Sequence, residues 1–172
     1  LAGIDARWRF DRASTTTSAY AQVVGEDEAG HFTSRNMLLA GLDTRVPLEG
    51  GSLRLFAEVS DTLAGRLTGN SRPVAAYRHS TYRQGYTHDG VVIGHASGGD
   101  VRLGSVGAIV DRGPLGAVIV VSTGRAEPTA QLLAPGRVTG ANAGLRWTRD
   151  AHGSQIGARW IGWRDTAQTR HA

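Results

Sequence analysis

Apolar and polar-or-small residues alternate along this chain with a period of two far more often than 3.6. In AGLRWTR (143–149), Ala143, Leu145 and Trp147 alternate with Gly144, Arg146 and Thr148, so the two sets point to opposite faces of a strand. SLRLFAEVS (52–60) places Leu53, Leu55, Ala57 and Val59 on one face and Arg54, Glu58 and Ser60 on the other, with Phe56 the exception. DVRLGSVGAIVDR (100–112) alternates more loosely, and GAVIVVSTG (116–124) is β-branched enough to be a strand on propensity. ARWRF (6–10), SAYAQVVGE (18–26), NMLLAGLDTRV (36–46) and QIGARWIGW (155–163) complete a set of about eight predicted strands.

The predicted connections alternate in length. Short ones fall at Leu48-Glu49-Gly50-Gly51 and Arg112-Gly113-Pro114, where Gly and Pro supply turn geometry. Longer ones cover 27–35, 125–136 and above all 62–99. This is the pattern of an all-β, antiparallel, up-and-down transmembrane β-barrel, and a soluble β-sandwich satisfies it as well. The predicted strands put Arg7, Arg9, Arg54, Arg102, Arg146 and Arg159 on a polar face. Trp8, Trp147, Trp160 and Trp163 fall near predicted strand ends, as either an aromatic girdle or core packing would have them.

Composition narrows the picture. The chain has 172 residues and 24 glycines, and Gly in a helix interior costs ~1 kcal/mol relative to Ala, which argues against a mostly helical protein. All 19 basic residues are arginine, set against 15 acidic ones for a net charge of +4. Cysteine is absent, which excludes disulfides, thiolate metal sites and a cysteine nucleophile. The uncharged apolar stretch 113–124 is far shorter than a membrane helix, which needs ~20 residues. The first residues, LAGIDARWRF, carry charges where a signal peptide has its apolar core. The chain therefore reads as a mature product or an internal fragment.

The most distinctive segment is YRHSTYRQGYTHDGVVIGHASGGD (77–100), with three tyrosines, three histidines, two arginines and two aspartates among its glycines. Together with AYAQVVGEDEAG (19–30) and LRLFAEVSDT (53–62), it resembles the capsule assembly Wzi family of outer-membrane proteins. Tyr77, His79, Tyr82, Gly85 and Tyr86 match one motif of that family; Gly94, His95, Gly98 or Gly99, and Asp100 match another, and the three regions occur in the family's order. The resemblance implies a large, monomeric barrel in the bacterial outer membrane that binds capsular polysaccharide and is not an enzyme. The whole chain, residues 1–172, is then expected to be the C-terminal part of a single barrel domain, about eight strands of a larger barrel. The tail RDTAQTRHA beyond Trp163 departs from the aromatic terminus many such barrels have.

Candidate chemistry fits that reading better than catalysis. His79, His88 and His95 stand nine and seven residues apart near Asp89 and Asp100, a spacing on a Gly-rich loop that does not enforce convergence on a metal; no metal or cofactor is expected. Gly94, His95 and Asp100 are expected to order the loop by hydrogen bonds. The run Glu26-Asp27-Glu28 reads as a solvated turn rather than a hydrolytic pair, and no nucleophile elbow, P-loop or dinucleotide fingerprint is present. The arginines are dispersed rather than gathered in a patch, so no nucleic-acid partner is expected. Guanidinium forks carboxylates bidentately, and Tyr can stack on sugar rings. Tyr77, Arg78, His79, Tyr82, Arg83, Tyr86 and His88 are therefore the candidate polysaccharide contacts, unless they only pack the loop. The expected partners are capsular polysaccharide and outer-membrane lipid. The competing expectation is a soluble β-sandwich carbohydrate-active domain, a glycoside hydrolase using Glu26 or Glu58 with Asp100.

Overall fold

The computed structural model describes residues 2–26, 35–63, 87–88, 91–92, 99–127, 136–149 and 152–165. Ten strands follow one another: β1 (Ala2–Arg12), β2 (Thr15–Glu26), β3 (Arg35–Leu48), β4 (Gly51–Asp61), β5 (Thr87–His88), β6 (Val91–Val92), β7 (Val101–Arg112), β8 (Leu115–Ala126), β9 (Gly136–Arg149) and β10 (His152–Asp165). All eight predicted strands are present, and each except β7, which starts one residue later at Val101, extends beyond its predicted stretch. The short β5–β6 pair went unforeseen, because two residues per strand are too few to show a period.

The eight long strands form one antiparallel sheet in the order β1-β2-β3-β4-β7-β8-β9-β10. Apart from the excursion through β5 and β6, each strand pairs with its neighbour in sequence, an up-and-down meander. The strands run to 11–14 residues, well beyond the ~5–6 typical of soluble sheets. At one end, tight turns join β1 to β2, β3 to β4, and β7 to β8. Gly50 (φ +73°) and Gly113 (φ +54°) take the left-handed conformation that these turns require, and Ala13 adopts it at φ +50° despite its Cβ. At the other end lie the connections 27–34, 62–100 and 127–135. Short and long connections thus segregate to opposite ends, as the turn residues predicted. The sheet does not close: β1 and β10 are its two edges.

The registers assign the faces. Ile4 and Trp8 stand opposite Val23 and Ala19, Ala19 opposite Leu42, and Leu42 opposite Ala57. The same level continues through Val106, Val121, Ala141 and Trp160. This face is apolar and open: Ile4, Trp8, Phe10, Leu42, Val59, Val106, Ile119, Leu145, Ile156 and Trp160 are all more than half exposed. Only Met37, Leu63, Val101 and Ala126 are buried apolar residues among those described, so this sheet has no conventional hydrophobic core. The other face carries Arg7, Arg9, Asp43, Arg54, Glu58, Ser105, Ser122 and Arg146.

Two expectations change. Arg102 stands opposite Asp61 and Arg125, with the parity of Val106 and Val110, and so belongs to the apolar face at its rim rather than to the polar face. The loose alternation of 100–112 hid this, because Leu103 and Ile109 are as apolar as Val106 and Val110. The tryptophans do not form one belt. Trp8 and Trp160 share the level of Ala141, well inside their strands, whereas Trp147 stands opposite Leu115 beside a tight turn.

Candidate functional site

The polar face is held by ion pairs that reach across strands. Asp43 on β3 is buried at 8 % exposure. It accepts from Arg7 Nη2 of β1 at 3.3 Å and from Arg54 of β4, through Nε at 2.9 Å and Nη2 at 2.6 Å. Two guanidiniums therefore share one carboxylate, a short charge-assisted arrangement. Farther along the same face, Arg146 of β9 pairs with Asp111 of β7. Arg9 pairs with Asp11 at 3.1 Å, and Thr16 donates its hydroxyl to the same carboxylate at 2.7 Å.

Between the pairs lies a row of tyrosine, glutamate and serine. The Tyr20 hydroxyl donates to Glu58 Oε2 at 2.8 Å, crossing β3 to do so. It can cross because Gly41 stands between the two strands; a Cβ there would lie 2.4 Å from the tyrosine ring. Phe56 lies over Gly107 in the same way, at 2.4 Å from where a Cβ would be. Large rings covering cross-strand glycines keep this face smooth and ordered. Ser105 and Ser122 share a hydrogen bond of 2.8 Å on the same level.

The arginines expected on the polar face are thus largely paired there. Arg7, Arg9, Arg54 and Arg146 are each bound to a carboxylate, and the polar face is a largely neutralised, hydrogen-bonding wall. Among the polar-face arginines whose side chains are described, Arg45 is the exception, touching Ser52 Oγ at 3.1 Å. Asp43 and Asp111 are the residues the sequence reading missed. The signal was present, since each is an acid at a polar-face position of a predicted strand.

Of the residues singled out in the sequence, Tyr77, Arg78, His79, Tyr82, Arg83, Tyr86, Gly94 and His95 lie outside the described residues. The backbone of His88 pairs with Val91 in the β5–β6 ladder. Asp100 sits where the 62–100 connection enters β7. It is buried at 3 % exposure and left-handed at φ +62°, a conformation Asp tolerates better than most residues. Its N–H donates to the Thr62 carbonyl at 3.4 Å, and its carbonyl accepts from Glu127 N–H at 3.0 Å. Thr62 adds a two-way bond: its hydroxyl donates to the Val101 carbonyl and accepts from the Val101 N–H, both at 3.1 Å. The root of the long connection is thus tied to β4, β7 and β8.

The hydrolase alternative finds no support in this geometry. Glu58 stands opposite Ser105, five strand positions from Asp100, or ~17 Å at ~3.4 Å per residue. Glycosidase carboxylates stand ~5–9.5 Å apart. Glu58 is also bonded to Tyr20, and the Glu26 side chain lies outside the described residues. No second sheet covers the apolar face among the described residues, where the only other ladder is β5–β6. Nor is there among them a group of three His, Cys, Asp or Glu side chains that could hold a metal.

Comparison with known proteins agrees with the fold. The model of the family described as capsule assembly protein Wzi matches residues 1–110. No curated protein matches the chain. Among solved structures the chain is similar to Wzi of Escherichia coli, described as an outer membrane protein involved in group 1 capsule assembly and a carbohydrate-binding β-barrel. The two share 19 % identity with a TM-score of 0.68 over 88 % of this chain. That superposition covers 34 % of the solved chain, so this chain spans about a third of its length. At this identity the likeness establishes the fold, a stretch of β-barrel wall.

Proposed function

The chain belongs to the capsule assembly protein Wzi family, and from that premise we propose that it is part of a bacterial outer-membrane β-barrel that binds and attaches capsular polysaccharide at the cell surface, without catalysing a reaction. The observation that carries the membrane assignment is the open apolar face. Strands of 11–14 residues are long enough to cross a bilayer, which takes ~9–11 residues, and large aliphatic and aromatic side chains stand exposed along one face of seven of the eight, β2 contributing Ala19, Ala21 and Val23 to the same face. Facing lipid, they need no second protein layer. The hydrogen-bonded polar face then lines the lumen. The tight turns belong to the periplasmic end and the long connections to the outside.

Closure follows from the same physics. In hydrocarbon an unpaired strand edge costs several kcal/mol per backbone group, and β1 and β10 are both edges. Further strands pairing with these edges would close the sheet, and we propose, as the family resemblance implies, that the 172 residues are the C-terminal part of one larger, monomeric barrel domain. Polysaccharide binding falls to the 62–100 connection. The polar wall has most of its arginines neutralised, whereas Tyr77, Arg78, His79, Tyr82, Arg83, Tyr86 and His88 lie on the longest connection, which starts and ends at the outer rim. Gly94, His95 and Asp100 order its return, Asp100 through the contacts described above. Individually weak stacking and guanidinium contacts repeat along a long polymer and sum to useful avidity.

The test is glycan binding by the full-length protein in detergent, together with capsule retention on cells. Tyr82→Ala and Arg83→Ala should each weaken binding by roughly 3- to 30-fold while the folded barrel is retained. Unchanged binding and unchanged capsule in both variants would remove this segment from the binding surface.

A further inference from the structure

We propose that the apolar face carries, on β7 to β10 at its outer rim, a built site for a phosphate-bearing lipid of the surrounding leaflet. The inference rests on the membrane reading above. Its core is a row of arginines that the registers bring to one level: Arg102 stands opposite Arg125, Arg125 opposite Arg137, and Arg137 opposite Arg164. Three adjacent strands, β7 to β9, therefore present arginine at the same height with the parity of the apolar face, and the backbone register of β10 places position 164 at the same level. At ~4.8 Å between strands the row is ~14 Å wide.

Like charges directly opposite one another destabilise a sheet. One carboxylate offsets this row: Asp61 accepts from Arg102 Nε at 3.1 Å. Arg125 and Arg137 are exposed, and among the described residues no ion pair reaches either of them. The polar face is built on the opposite principle, with Arg7, Arg54 and Arg146 held by Asp43 and Asp111. Among the described residues no other carboxylate neutralises the row, which leaves Arg125 and Arg137 able to take an external anion.

The residues below the row say what kind of anion. The next level of this face toward the tight turns is Gly104, Thr123, Thr139 and Gly162, small residues of which the two threonines carry hydroxyls that can donate to phosphate or sugar oxygens. The level after that is Val106, Val121, Ala141 and Trp160, which is apolar. A ladder of guanidinium, hydroxyl and hydrocarbon complements a headgroup phosphate, its glycosidic or glycerol linkage and its acyl chains, in that order. Depth agrees as well. Arg125 lies ten residues along β8 from Leu115, ~34 Å of strand or ~26 Å of height at a tilt of ~40°, close to the ~25 Å of a barrel's apolar band. The row is one-sided: at its level β1, β2 and β3 carry Ile4, Val23 and Leu38, so it is a localised site rather than a belt. Free phosphate would use the arginines but gain nothing from the apolar level, which is why a lipid is the assigned occupant.

The test uses the full-length protein reconstituted in phosphatidylcholine nanodiscs, titrated with a phosphorylated glycolipid, its dephosphorylated form, or inorganic phosphate. Native mass spectrometry and the thermal midpoint are read for wild type, Arg125→Gln/Arg137→Gln, and Arg9→Gln on the opposite face. Wild type and Arg9→Gln should bind the phosphorylated lipid and gain thermal stability. The double variant should bind it roughly 30-fold more weakly, at about one Arg-to-phosphate increment for each residue removed. Equal retention by the double variant, equal binding of the dephosphorylated lipid, or an equal response to inorganic phosphate each overturns the proposal. A barrel that inserts into phosphatidylcholine yet shows no preference refutes the lipid site alone. A chain that stays monomeric in buffer and does not insert refutes the membrane reading with it.

Discussion

An arginine placed at Ile119 measures directly what the apolar face of the sheet meets. Ile119 lies near the middle of β8 on that face and is 53 % exposed, with Ala108 and Ala143 as its cross-strand neighbours. In water, a change at so exposed a position away from special features stays within ~0.5 kcal/mol. In lipid, Arg at the midplane costs ~2–4 kcal/mol, falling to ~0–1 kcal/mol near the interface. Thr123 shares the parity of Ile119 and lies one level inside the arginine row, so it samples the interface. Ile119→Arg should therefore destabilise the full-length barrel by ~2–4 kcal/mol and Thr123→Arg by less than ~1 kcal/mol. The assay is reversible guanidinium unfolding in phospholipid vesicles, followed by tryptophan fluorescence, with the slope checked for constancy between variants. Equal costs at the two positions, or a cost below ~0.5 kcal/mol at Ile119, would show that lipid does not cover this face.

Other outcomes follow from single contacts. Asp43→Asn removes the carboxylate shared by Arg7 and Arg54; because both arginines are about half exposed and water screens them, the expected loss is ~1–2 kcal/mol, and Arg7→Gln should cost under ~1 kcal/mol, both by denaturant titration. Gly107→Ala drives a Cβ into the Phe56 ring and to within 2.9 Å of the Ile119 carbonyl, for a loss of ~1–3 kcal/mol; retention of full stability would remove the ring-over-glycine account. Ala13→Gly relieves the left-handed backbone at φ +50° and should raise stability by ~0.5–1 kcal/mol, a gain that vanishes if the turn is rebuilt. Thr62→Val deletes the two bonds to Val101 and should speed amide exchange at the start of β7, at a cost of ~1–2 kcal/mol.

What the sequence determined by itself is the kind of structure. Period two makes a strand because successive side chains point to opposite faces, so the eight strands, the existence of an apolar and a polar face, and the alternation of tight turns with long connections were all legible. The family motifs were legible too, since they are local strings of residues. The tertiary structure decided who stands beside whom. Arg102, Arg125, Arg137 and Arg164 have no common spacing in the chain, and only the registers of three successive strand pairings bring them to one level. Asp43 likewise meets Arg7 across 36 positions of sequence. The face of a residue is a local property wherever alternation is strict. Where it is loose, as in 100–112, the hydrogen-bonded partner strand fixes the parity, because a shift of one residue would turn every side chain of β7 to the opposite face.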